Sequence, residues 1–254
     1  MTTQKFNNID VSKLSVGKIK NTTNMRTFFI DYDNKLFSVQ TPELMLDWGG
    51  VPKVDEYHIT EADRRYIQYG TEPQPSSKTR ELDKDYKKRI NNLKKFEIFL
   101  LSLEEWVNSD PVQKKLFEQE GKIRSGDFIS LVKSGSGDRP NNVKFKFYAD
   151  KETGAPDFEL CTVNPDSKQR EYKLTDGMSL EDLRKSVFKY MGKQRLIFQI
   201  RGWTDKLTKK APRFGLTLTI KCVEYSLPVP KSKTPVAQTT FIDSSDEEED
   251  DEEE

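Results

Sequence analysis

Histidine is nearly missing from this chain. His58 is the single one in 254 residues, and there are only two cysteines, Cys161 and Cys222. Structural zinc sites show themselves by closely spaced ligand pairs. Neither cysteine has a CxxC partner, so no metal is expected and both thiols read as reduced core residues. His58 falls in a polar stretch and reads as solvated. One histidine without a GxSxG or HExxH segment leaves no basis for a hydrolytic triad or a metalloprotease helix. No GxxxxGK[ST] occurs, so "SGSGDRP" reads as a flexible loop and not a phosphate cradle. Long apolar runs are missing too. Ile98–Leu101 is the longest strongly apolar stretch, far short of the roughly 20 residues a membrane helix needs. The opening "MTTQKFNNIDVSKLSVGKIK" holds no apolar core of signal-peptide length. A non-enzymatic, intracellular protein without cofactor or membrane contact is the expectation.

What the chain does hold is charge, unevenly spread. Lysine plus arginine and aspartate plus glutamate both number 42, for a net charge of zero. The last twelve residues, "DSSDEEEDDEEE", carry ten acidic residues and no basic one. Residues 1–242 therefore carry 42 basic against 32 acidic residues, a net of +10. Such asymmetry points to a polyanionic partner, with the tail as a competitor for it. The run Asp246, Glu247, Glu248, Glu249, Asp250, Asp251, Glu252, Glu253, Glu254 repels itself and is expected to stay solvated. Solubility alone is the plainer reading of it. Ser244 and Ser245 each have an acidic residue three positions on, a pattern open to phosphorylation that would add charge.

Along the chain, strand patterns dominate. "MRTFFIDYDNKLFSVQTP" reads as a hairpin turning at Asp33-Asn34, a pair that tolerates positive φ. "TEADRRYIQYG" reads as a short helix with Asp63 at the capping-box position and Gly70 as its stop. From about Asp83 to Asn108, Tyr86, Ile90, Leu93, Phe96, Leu100, Leu103 and Val107 recur at steps of three or four, which predicts a helix with one apolar face. Ser109-Asp110-Pro111 starts a second helix through Glu120. "DFISLVK", "VKFKFYAD", "DFELCTV", "RLIFQIRGW" and "FGLTLTIKCVEY" predict strands, and Ser179 caps a helix in "SLEDLRKSVFKYMG". The expected fold class is mainly β with inserted helices (α+β), an antiparallel body of at least five strands. A closed barrel and a β-sandwich both fit that count.

The basic excess is concentrated late. Residues 193–233 hold ten basic residues against Asp205 and Glu224, a net of +8. Alternation in "RLIFQIRGW" sends Leu196, Phe198 and Ile200 to the core, and Arg195, Gln199, Arg201 and Trp203 to the other face with Ile197 between them. "VKFKFYAD" likewise separates Val143, Phe145 and Phe147 from Lys144, Lys146 and Tyr148. The loop "TDKLTKKAPR" adds Lys206, Lys209, Lys210 and Arg213. Cations interleaved with exposed rings suit single-stranded nucleic acid: the cations meet phosphates and the rings stack on bases whatever the sequence. For any one of these residues the plainer alternative stands, with lysines protecting a sheet edge and Tyr148 and Trp203 as core.

The order of strands, helical insert, late strand pair "RLIFQIRGW"/"FGLTLTIKCVEY", linker and "DSSDEEEDDEEE" resembles the single-stranded DNA-binding proteins of phages and nucleocytoplasmic large DNA viruses. The resemblance implies an OB-like antiparallel β-barrel, no cofactor, and a role in coating displaced strands during viral replication, recombination and repair. The expected domain plan is a loosely ordered arm or loose edge strand (1–24), an OB-like barrel with a helical insert near 83–120 (25–227), a linker (228–242) and the acidic tail (243–254). Replication proteins recruited by the tail would be partners, at replication sites in the host cytoplasm or nucleus. The phage tails end in an aromatic residue, whereas this chain ends on Glu254. RNA in place of DNA, a homodimer, an acidic-tailed chaperone or scaffold for basic proteins, and a virion structural protein remain open alternatives at this point.

Overall fold

A computed structural model describes residues 2–23, 25–46, 49–72, 86–117, 126–137, 139–150, 155–163, 169–175, 177–190, 192–206 and 212–225. Lys209, Lys210, the 228–242 linker and the whole tail with Ser244 and Ser245 lie outside these residues. Among the described residues no helix is long and apolar enough to cross a membrane.

The amino-terminal strands are β1 (Thr2–Lys5), β2 (Leu14–Asn21), β3 (Met25–Tyr32) and β4 (Lys35–Gln40). Two two-residue strands follow, β5 (Leu44–Met45) and β6 (Gly49–Gly50), then β7 (Tyr66–Gly70). Helices α1 (Tyr86–Asn108) and α2 (Asp110–Phe117) interrupt the strands. Beyond them come β8 (Asp127–Ile129), β9 (Val132–Lys133), β10 (Asn142–Lys146), β11 (Tyr148–Ala149), β12 (Pro156–Asp157), β13 (Glu159–Val163) and β14 (Arg170–Leu174). Helix α3 (Leu180–Ser186) precedes the two longest strands, β15 (Lys193–Asp205) and β16 (Arg213–Tyr225).

β15 and β16 form the spine of the sheet, paired antiparallel from Gln194–Tyr225 to Thr204–Phe214. Each carries three short strands along its free edge. β15 pairs in turn with β5, β4 and β3. β16 pairs in turn with β8, β10 and β13. The main path through the sheet runs β1-β4-β3-β15-β16-β10-β7-β6 and is open at both ends. The class mainly β with inserted helices therefore holds. The expectation of an all-antiparallel sheet is corrected, because β1 with β4 and β16 with β8, β10 and β13 are parallel. A strand thirteen residues long leaves room for several short strands side by side, and local alternation cannot say in which direction each one runs.

The first residues take the edge-strand form of the expected arm: β1 and β2 pair with β4 and β3, and Phe6, Ile9, Leu14 and Val16 are buried. One further expectation changes. Thr60 and Asp63 do make their reciprocal capping bonds, but the turn ends at Arg64, and Tyr66–Gly70 is a strand. β7 gains a full antiparallel partner in β10, and tertiary pairing overrides the local helix signal. The hairpin is as expected, with Asp33 at φ 48° and Asn34 at φ 60°. Such a turn twists in the sense the flanking strands require.

The main core lies on one side of the sheet. Helix α1 lays Leu93, Phe96, Leu100, Leu103 and Val107 against it, all at most 4% exposed. Phe96 meets the rings of Phe6 at 5.3 Å, Phe99 at 6.2 Å, Phe198 at 6.4 Å and Phe145 at 6.5 Å between centroids. One strand position is closed to any side chain. A Cβ on Gly202 would lie 1.8 Å from Cζ of Phe28, which sits opposite it on β3. Gly202→Ala is expected to cost about 1–3 kcal/mol through overpacking, read as a lowered midpoint in urea denaturation. An unchanged midpoint would mean that Phe28 has somewhere else to go.

Candidate nucleic-acid interface

With α1 on the inner face, the outer face of the spine is left without a covering helix among the described residues. That face is not open throughout: Ile197, Gln199 and Thr219, which share it with Arg201, are at most 5% exposed. On β3 the inner residues are Phe28 and Ile30, at 2% and 1% exposure, so Thr27, Phe29 and Asp31 face outward. The register places Phe29 directly opposite Arg201.

Arg201 is the centre of the face. Its guanidinium lies 4.9 Å from the Phe29 ring centroid and 5.2 Å from that of Tyr148. Nη1 donates to the Tyr148 hydroxyl at 3.1 Å and Nη2 to Gln199 Oε1 at 3.4 Å. These partners orient the group without neutralising it. Nε is out of reach of solvent and has no hydrogen-bond partner among the described residues. Lys20 on β2 lies 5.6 Å from the same Phe29 ring. Across the spine, Lys144 sits over Tyr66 at 4.3 Å. Lys146 faces the same side, opposite Thr219 of β16 and Tyr66 of β7. The result is a band of alternating cations and rings over β2, β3, β15, β10 and β7.

The band is short of counter-charge. Lys20, Lys144, Lys146 and Arg201 have no carboxylate partner among the described residues. Partial burial, then the charges of Lys146 and Lys133, pull the Lys144 ammonium below its ordinary value. Like charges brought together are relieved by a bound anion.

The expected residues divide accordingly. Lys144, Lys146, Tyr148 and Arg201 come together. Trp203 continues their face two residues on, half-buried with its ring over Gly215. Lys206 is exposed just past the end of β15, and Arg213 Nε is tied to Asp205 at 3.2 Å. Arg195 does not join the band. It shares the Glu224 carboxylate with Arg170, at 3.4 and 2.8 Å, six residues from Arg201 along β15, about 20 Å. Beside these ion pairs the outer face holds a small apolar cluster. Cys161, Cys222 and Ile197 cluster there beside Tyr172, both thiols are unbridged, and burial pushes the Cys161 thiol up to about 12.

Sequence reasoning passed over Phe29, Lys20 and Tyr66. The Phe29 signal was available in the alternation of "MRTFFIDY", where Thr27, Phe29 and Asp31 oppose Phe28 and Ile30. Tyr66 was hidden by the helix reading of its segment. His58 is not simply solvated either: Nε2 lies 2.8 Å from the Tyr66 hydroxyl and Nδ1 2.8 Å from Asp55. No group of three or more metal-ligating side chains occurs among the described residues.

The fold and the face define a mainly β protein with a helix-backed mixed sheet and a cation-and-aromatic outer surface. No protein-family model matches the chain, and no curated protein matches it.

Proposed function

We propose that this protein binds single-stranded nucleic acid, DNA in the first place, on the outer face of the β15–β16 spine, without catalysis. The observation that carries the reading is Arg201, held between Phe29 and Tyr148 with no carboxylate partner among the described residues. Rings already faced by a cation offer a stacking platform beside a phosphate contact. Base–aromatic stacking contributes roughly 1–3 kcal/mol per base. A duplex hides its base faces, so the rings favour a single strand. The resemblance to viral and phage strand-binding proteins supports the same use, with an OB-like sheet surface serving as platform, and a role in coating strands during viral replication, recombination and repair.

In this proposal the acidic tail competes with the strand. Tethered through the Pro-rich 228–242 segment, it is present at an effective concentration of the order of mM near the face. When displaced, it is free for basic replication partners. Phosphorylation of Ser244 or Ser245 would strengthen the competitor.

The test is a titration of fluorescent single-stranded and duplex oligonucleotides with the full chain and with a 1–242 truncation over a salt series. The single strand is expected to bind more tightly than the duplex. Affinity should fall with salt at a slope near roughly −0.7 for each phosphate neutralised. The truncation should bind several-fold more tightly than the full chain at low salt. Absence of binding by both forms at low salt would sink the proposal.

A further inference from the structure

Beyond the edge of the band the sheet runs into a groove of about 700 Å³, between the β6–β7 edge and the end of α3. That volume lies within the roughly 300–1,000 Å³ of sites that enclose small ligands. Tyr66 belongs to both places. Its ring carries Lys144 on the sheet face, and it lines the groove with Gln68.

Three features make this a built site. Its floor includes bare backbone. Gly49 and Gly50 have φ of 86° and 102°, and a Cβ on Gly50 would meet nothing nearer than Leu46 Cδ2 at 4.0 Å. Glycine is therefore kept at position 50 for its conformation, which leaves the chain open to close approach by a ligand. Its walls are tied together by Arg64, 5% exposed. Arg64 Nε donates to the Pro52 carbonyl at 2.7 Å on one wall, and Nη2 stands 3.5 Å from Glu181 of α3. Its charge is positive. Lys53, Arg184, Lys185 and Lys189 line it, and Asp55 is the only acidic lining residue among the described residues. Glu181 is already shared by Arg184, Lys185 and Arg64, and the Arg184 hydrogen bonds hold its carboxyl at about 2. Lys53 and Lys189 have no ion-pair partner among the described residues. Tyr190, 73% exposed, lines the same groove as Tyr66.

We infer that this groove is a second nucleotide subsite, which receives the single strand as it leaves the sheet face at Tyr66. Lys53 and Lys189 meet the phosphates, and Tyr190 and Tyr66 flank the base. The inference rests on the strand-binding reading of the sheet face. From β3 to β7 the path crosses β15, β16 and β10, four inter-strand gaps or about 19 Å, and the groove lengthens it at one end only.

The experiment compares the full chain, a K53E/K189E variant and a Y190A variant. Each is titrated with oligothymidylates of about 4 to 16 nucleotides, the range of site sizes known for single-strand-binding folds. Lys53, Lys189 and Tyr190 are exposed, so thermal melting should match that of the unaltered chain. The shortest strands that bind should bind both variants as they bind the unaltered chain. The longest should bind K53E/K189E about three- to tenfold more weakly, with a salt slope shallower by about 0.7 for each phosphate left without its lysine. A photoreactive thymidine at one end of the long strand should crosslink to the peptide containing Tyr190. Variants that match the unaltered chain at every length would overturn the subsite and leave the sheet-face reading standing. A uniform loss at every length would also overturn it. An unaltered chain that binds no length at all would overturn the sheet-face reading itself.

Discussion

Replacing Phe96 with alanine is expected to destabilise the protein by about 3–5 kcal/mol, the range for truncating a buried aromatic ring. Phe96 is 1% exposed, and its ring meets those of Phe6, Phe99, Phe145 and Phe198. These four partners come from the amino-terminal segment, α1 itself, β10 and β15. The cavity would open where the helix joins the sheet to the amino terminus, and rigid β neighbours on two sides leave it little room to collapse. Chemical denaturation monitored by tryptophan fluorescence reads the loss. Ile98, two residues on and 66% exposed, is the control, and its alanine variant should stay within about 0.5 kcal/mol of the parent. If Phe96→Ala cost no more than Ile98→Ala, α1 would be an appendage docked on the sheet and not part of its core. The outer face depends on this point. Helix α1 packs on the inner face, and Arg201 and Tyr148 lie on the other.

An R201A/F29A variant is expected to lose single-strand affinity on the order of a hundredfold, the largest binding effect of any pair on the face. Loss of a stacking ring costs roughly 1–3 kcal/mol, and loss of a hydrogen bond to a charged phosphate about 1.5–3, against about 1.4 kcal/mol per tenfold. The salt slope should become shallower by about 0.7, the share of one phosphate. Arg201→Ala alone should change slope and affinity together. Phe29→Ala alone should change affinity with little change of slope, because a ring releases no counter-ion. Arg195→Ala supplies the contrast on the same strand. Its charge is already held by Glu224, so its removal should leave affinity and slope close to those of the parent. Equal losses from Arg195→Ala and Arg201→Ala would mean that the positive charge of β15 acts diffusely, and the cation-and-ring band would lose its special standing.

Several parts of this arrangement were legible in residues close together in the chain. The stripe from Leu93 to Val107 marked α1 and its buried face, because the helix period is local. Asp33-Asn34 marked the hairpin, because few residue pairs accept two positive φ values. Val143 to Tyr148 and Leu196 to Ile200 showed which side chains face outward, because a strand alternates with period two. That alternation put Lys144, Lys146, Tyr148 and Arg201 on outward faces. It could not show that Arg195 is paired with a carboxylate. Glu224 is 29 residues away in the sequence and meets it only through the β15–β16 register.

The sequence by itself determined the charge asymmetry, the mainly β class and the outward faces of individual strands, since composition and period two are properties of short segments. Only the tertiary structure decided which faces adjoin. Pairing β3 with β15 set Phe29 against Arg201. Pairing β7 with β10 turned a segment with a helix cap into a strand and placed Tyr66 under Lys144. Strand partners are chosen by hydrogen bonding and core packing over long sequence separations, where no local pattern carries the information.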